Sequence, residues 1–143
     1  MKRSLVVDGE GGPLGVALAG ANVPDAKLLA ATIEAIVLER PEPEPGYEQH
    51  LCLDKGYDND DGYGVCVDHE YVPHIALIRD EGPARPKWHK PRRWVVERAI
   101  SWLNGCRALL VRYAKKAANY LALIKLACAL LWYRRLHRLT VLR

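Results

Sequence analysis

The sequence predicts an α/β fold with a helical C-terminal portion, and three observations carry that expectation. Residues 3–19 hold two apolar runs around a Gly-Pro turn. Residues 50–78 run strand, helix, strand at the spacing of a parallel crossover, and from Arg93 onward apolar residues recur every three or four positions. The length, 143 residues, is that of one domain, and 50% hydrophobic with 27% charged residues is ordinary for a globular chain.

The elements follow in order. Arg3–Val7 is rich in apolar and β-branched residues, Gly9-Glu10-Gly11-Gly12-Pro13 supplies turn chemistry, and Leu14–Ala19 resumes the apolar run. Together they predict an antiparallel hairpin. Asn22 or Asp25 is placed to cap a helix whose stripe of Leu28, Leu29, Ala31, Ile33, Ile36 and Val37 runs on towards Arg40. Three prolines in Pro41–Gly46 remove donors and fix φ, which makes that stretch a connector. His50–Leu53 is a short strand entering Asp54-Lys55-Gly56-Tyr57-Asp58, a brief helix covers 62–69, and Tyr71–Ile78 is the returning strand. In such a unit ligands sit beyond the carboxyl ends of the strands, where Asp54 falls. After a Pro-, Lys- and Arg-rich loop over 80–92, Val95, Ala99, Trp102, Cys106, Leu109 and Tyr113 form a predicted buried stripe. A second helix is expected over Lys115–Arg138.

Charge is distributed unevenly. Residues 1–82 carry a net −10 and residues 83–143 a net +14, with Glu97 the single acid of the latter. So basic a segment is suited to polyanions, or to pairing with the acidic part of its own chain. The longest apolar stretch, Ala117–Tyr133, is broken by Asn119 and Lys125 and is too short for a bilayer, and no long apolar leader follows Met1-Lys2-Arg3. The protein is therefore expected in the cytoplasm, with no membrane partner. Cys52, Cys66, Cys106 and Cys128 are widely spaced, which argues for buried reduced thiols over disulfides or a zinc site.

Most acids have structural roles ready to hand: Asp8 and Asp25 stand at a turn and a helix start, and Asp58, Asp60 and Asp61 suit a polar turn and a helix cap. Asp54, at a strand end, and Glu97, flanked by Trp94-Val95-Val96 and Arg98, stand apart. A first-turn acid also suits a helix dipole, which is the structural account of Glu97. Helical spacing places Arg93, Glu97 and Asn104 on one face. Carboxylates among phosphate-binding bases are the donors that hard divalent cations take in phosphodiester chemistry.

Leu53-Asp54-Lys55-Gly56-Tyr57-Asp58, then Arg92-Arg93-Trp94-Val95-Val96-Glu97-Arg98 and Trp102-Leu103, resemble the carboxyl half of bacterial insertion-sequence DDE transposases, of the family-five type within the family-four-like group. The resemblance extends from Lys2-Arg3-Ser4 through Gly20-Ala21-Asn22 and Asp25 to Tyr120-Leu121-Ala122 and Trp132-Tyr133-Arg134-Arg135-Leu136. It implies an RNase H-like mixed sheet with flanking helices, lacking its first strand, followed by a C-terminal helical pair. Residues 1–143 would form a partial catalytic domain, with a sheet-rich acidic part over 1–78 and a basic helical part over 93–143. By resemblance Asp54 is the second and Glu97 the third of three acids holding two Mg2+ or Mn2+ ions for cleavage and strand transfer at transposon ends. The helical signature Y-x2-R-x3-E-x6-K matches at Arg93 and Glu97, while Lys90 and Asn104 replace its tyrosine and lysine.

Lys55, Arg92, Arg93, Arg98, Arg107, Arg112 and Lys115 are the expected DNA contacts. The first acid lies upstream in the family, so the chain is expected to be a fragment or a second reading frame, joined to an upstream segment and inactive alone. The partners implied are terminal inverted repeats, target DNA and, when active, a second copy, at the nucleoid. The alternative is a non-catalytic DNA-binding product that competes with intact transposase.

Overall fold

The structure, a computed structural model, describes residues 1–75 and 93–141. Within them the chain forms a mixed α/β arrangement: β1 Lys2–Val7, β2 Pro13–Ala19, α1 Asp25–Glu34, β3 Gln49–Leu53, a 3₁₀ turn Lys55–Tyr57, α2 Asp60–Asp68, β4 Tyr71–Ile75, α3 Arg93–Asn104, the single turn α4 Arg107–Leu110, and α5 Ala117–Val141. Residues 76–78 of the expected returning strand, Lys90 and Arg92 lie outside the described residues.

The hairpin forms as expected, with Leu5 opposite Val16 and a register shift at Val6/Val7. Its tip is held by Asp8, whose Oδ1 accepts the backbone N–H groups of Glu10 (2.9 Å) and Gly12 (2.6 Å). Gly11 supplies the left-handed φ of +86° that the tip requires. Side chains alternate along a strand, so β1 presents its odd and even positions to different helices. Arg3 and Leu5 turn towards α3 and α5, while Lys2 reaches Asp25 at the start of α1 (3.1 Å) and Val23 O (2.9 Å).

Two apolar cores result. Val16, Leu103, Leu109, Tyr120 and Ile124 join the hairpin to α3, α4 and α5. Leu29, Ile33 and Cys66 join α1 to α2, with Leu51, Leu53, Tyr57 and Tyr71 packed around them. Burying a side chain such as Ile124, which is fully enclosed, stabilises the fold by about 1.5–3 kcal/mol. Helix α1 packs on the hairpin and on α2, so it ties the two cores together.

β3 and β4 pair in parallel, Leu51 opposite Pro73, with α2 as the crossover that parallel strands require. The hairpin and this pair are separate two-stranded sheets: among the described residues no strand hydrogen-bonds to both.

Four expectations are corrected. Helix α1 is preceded by Pro24, with no side-chain cap, because the Asp25 carboxylate is turned to Lys2. It ends at Glu34 because Ile36 N–H bonds to Ile33 O and Val37 N–H to Leu14 O of β2, leaving Ala31 and Val37 exposed. Trp102 and Tyr113 are exposed: the buried stripe of α3 is Val95, Ala99 and Leu103, and the helix stops at Asn104 before Gly105. Cys52 is an exposed thiol, since alternation along β3 turns Leu51 and Leu53 into the core and residues 50 and 52 out of it.

Candidate functional site: the carboxylates and the basic helices

Asp54 follows β3 directly and opens the 3₁₀ turn, where its Oδ1 accepts the Gly56 N–H at 2.8 Å. That bond holds an exposed carboxylate at the carboxyl end of a parallel strand. Tyr57, three residues on, feels the charge of Asp54. Its phenol is pushed up from 10.0 to about 12, first by burial and then by the negative charges of Asp25 and Asp54, while a hydrogen bond with Ser4 of β1 acts the other way. One phenol therefore senses β1, the start of α1 and the end of β3, which places Asp54 close to the junction of the two sheets.

Glu97 is exposed on α3, a helix packed against β1. On the same helix Asn104 accepts a hydrogen bond from Arg3 Nη2 at 2.7 Å, and Arg3 Nη1 is buried with no partner among the described residues. The position where the helical signature carries lysine is thus occupied by an asparagine that holds an arginine from β1.

The described residues contain no group of three or more His, Cys, Asp or Glu able to hold a metal ion. Asp54 and Glu97, carried on separate elements, are oxygen donors of the kind Mg2+ and Mn2+ take.

The expected DNA contacts divide into two groups. Lys55, Arg107 and Lys115 are exposed. Arg112 is committed to the chain, donating to Ala114 O (3.0 Å) and Lys115 O (2.9 Å) and shaping the turn into α5. Arg98 donates to Glu10 O at the hairpin tip. Arg93 opens α3, and its side chain lies outside the described residues.

Two features escaped the sequence reading. Arg135 of α5 also reaches the hairpin tip, at Glu10 O (2.9 Å) and Asp8 Oδ2 (3.7 Å), beside Trp132, whose indole N–H donates to Pro13 O (2.8 Å). Arg98 lies between two indoles, its guanidinium carbon 4.9 Å from the Trp94 ring centroid and 5.1 Å from that of Trp102. The signal for the second was present: positions 94, 98 and 102 recur every four residues on one helix face.

Comparison with known proteins places this arrangement. Residues 1–132 match the family described as the transposase DDE domain, and the chain belongs to that family. It is 34% identical, over 145 aligned residues, to a putative transposase for insertion sequence element IS402 of Burkholderia cepacia. The alignment covers 96% of this chain, which spans 64% of the length of that relative. No solved structure matches the chain. Among the described residues no helix is long and apolar enough to cross a membrane.

Proposed function

We propose that this chain is the part of an RNase H-like transposase catalytic domain that supplies Asp54 and Glu97 as two of three metal-binding acids. It would act on transposon ends and target DNA as a homo-oligomer, at the nucleoid. The observation that carries the proposal is the interrupted sheet. Among the described residues of a chain matching the transposase DDE domain over residues 1–132, the hairpin and the β3–β4 pair stay unconnected, although the hairpin packs on α1 and Leu51, Leu53 and Tyr71 pack on the core that α1 shares with α2. Unpaired strand edges are costly when buried and invite another strand when open. A further strand lying between β1 and β3 would pair both edges and set an upstream acid beside Asp54. Mg2+ or Mn2+ bound there would supply activation of the attacking oxygen and stabilisation of the leaving one. The chain's own residues would position the ends: Asp54 held by Gly56, Glu97 carried on α3, and Lys55, Arg107 and Lys115 presented to phosphates.

Cleavage of transposon-end DNA in the presence of Mg2+ tests this. Residues 1–143 alone should be inactive, and the chain joined to the upstream segment of its gene should be active. Asp54→Asn and Glu97→Gln should each abolish that activity while DNA binding survives. Cleavage by the 143-residue chain alone would sink the proposal that a strand must be added. If the Asp54→Asn/Glu97→Gln chain still competes with intact transposase at the ends, and no joined form cleaves, the competitor function holds instead.

A further inference from the structure

Helix α5 is apolar on two sides. Tyr120, Ile124, Cys128 and Leu131 share one side and pack with the hairpin, α3 and α4, while Trp132 and Arg135 fasten the helix to Pro13 O and Glu10 O. Leu123, Leu126, Leu130 and Tyr133 lie on the opposite side, and His137 and Thr140 continue them. From 123 to 140 the intervals alternate three and four, which is the spacing of a coiled-coil seam. The whole stripe is exposed, Leu126 by 68% and Tyr133 by 66%. The Tyr133 and His137 rings follow one another along it at 6.3 Å. A surface helix needs one apolar side for its own core, so a second side in continuous register marks a contact with another helix.

We infer that this stripe is the surface on which a second copy of the chain docks, α5 against α5 and antiparallel. Size is the first argument. With Leu136 at its flank, 60% exposed, the stripe offers on the order of 500 Å² of apolar surface in each copy, and a pair would bury on the order of 1,000 Å², where specific interfaces begin. Charge is the second. Helix α5 contains no acid, and Arg134, Arg135 and Arg138 crowd its C-terminal half. In a parallel pair those arginines would meet their own counterparts with no carboxylate between them. In an antiparallel pair each basic end lies along the partner's stretch from Leu123 to Leu130, where the one cation, Lys125, stands off the stripe. The two helix dipoles then also oppose one another. Leu130 would pack on the partner's Tyr133 and Leu126 on the partner's His137, so one patch is its own complement about a two-fold axis. The inference rests on the proposed homo-oligomer and assigns its surface.

Light scattering of the 143-residue chain after size exclusion, followed over concentration, tests it. Wild type should be a dimer at micromolar concentration. Leu126→Lys/Tyr133→Lys should raise the dissociation constant about a hundredfold or more, while the far-UV spectrum of wild type is kept because neither side chain belongs to the core. Tyr133→Leu should retain the dimer. In a Cys52→Ser background, Leu126→Cys chains should crosslink with His137→Cys chains and not with themselves. A monomeric wild type overturns the docking surface and the homo-oligomer of this chain with it. A dimer that the double lysine change leaves intact overturns the surface alone, and self-crosslinking of Leu126→Cys overturns the antiparallel direction. Cleavage of transposon ends by the chain joined to its upstream segment reports on the catalytic reading separately.

Discussion

Arg3 and Asn104, separated by 101 positions in the chain, are joined by a 2.7 Å hydrogen bond from Nη2 to Oδ1. The bond fastens β1 to the end of the helix that carries Glu97. A bond to a charged group is worth about 1.5–3 kcal/mol, and its loss leaves a half-buried guanidinium with one donor fewer satisfied. Asn104→Ala should therefore destabilise the chain by about 1–3 kcal/mol. Because the two residues act as a pair, Arg3→Met/Asn104→Ala should cost less than the sum of its single changes, by about 1 kcal/mol in a double-mutant cycle of urea unfolding. Additive losses would show that the two side chains do not support each other.

Gly15 lets α1 approach the hairpin. A Cβ there would lie 2.8 Å from Ile36 N and 2.9 Å from both Thr32 O and the Ala35 carbonyl carbon, all of them backbone. Gly15→Ala should force the helix away and cost about 1–3 kcal/mol. Gly64, inside α2 with open space around it, is the control. Gly64→Ala should stabilise by about 0.5–1 kcal/mol through the entropy of the unfolded chain. Thermal melting of the two variants should move in opposite directions.

Tyr57 gives a pH dependence with a definite sign. Its pKa is raised in the folded state, from 10.0 to about 12, so the folded chain holds the phenolic proton more tightly than the unfolded chain. That contribution is fully present below pH 10 and is lost as pH rises to about 12. Urea midpoints should fall over this window, and the fall should be smaller in Tyr57→Phe. Identical pH profiles for the two proteins would show that Tyr57 titrates as an exposed phenol.

The parts of the fold that were legible in the sequence are those whose signal is local. The hairpin follows from alternation around Gly9–Pro13, and the β3–α2–β4 crossover from strand and helix signals at the right spacing. Helix α1 was legible in its first turns and not at its end, because the competing partner of Val37 N–H is Leu14 O, more than twenty positions away. Trp102 was misplaced for a different reason. Periodicity counts tryptophan as apolar, whereas this one lies against Arg98 at the surface. At the site, Asp54 and Glu97 were visible as acids in unusual surroundings, but the Arg3–Asn104 bond and the double hold on Glu10 depend on tertiary approach and leave no local pattern.

The hairpin tip has an electrostatic consequence for the basic helices. Arg98 and Arg135 both donate to the Glu10 carbonyl, and Arg135 also faces the carboxylates of Asp8 and Glu10. The two carboxylates act as built-in counterions for Arg135, which is already neutralised in part before any polyanion arrives, whereas the carbonyl that holds Arg98 orients that cation without cancelling its charge. The steepness with which DNA affinity falls with salt reports the mobile ions released, and cations matched within the chain release none. Under the proposed action on DNA, the helical part would meet the polyanion as a weaker polycation than its composition implies.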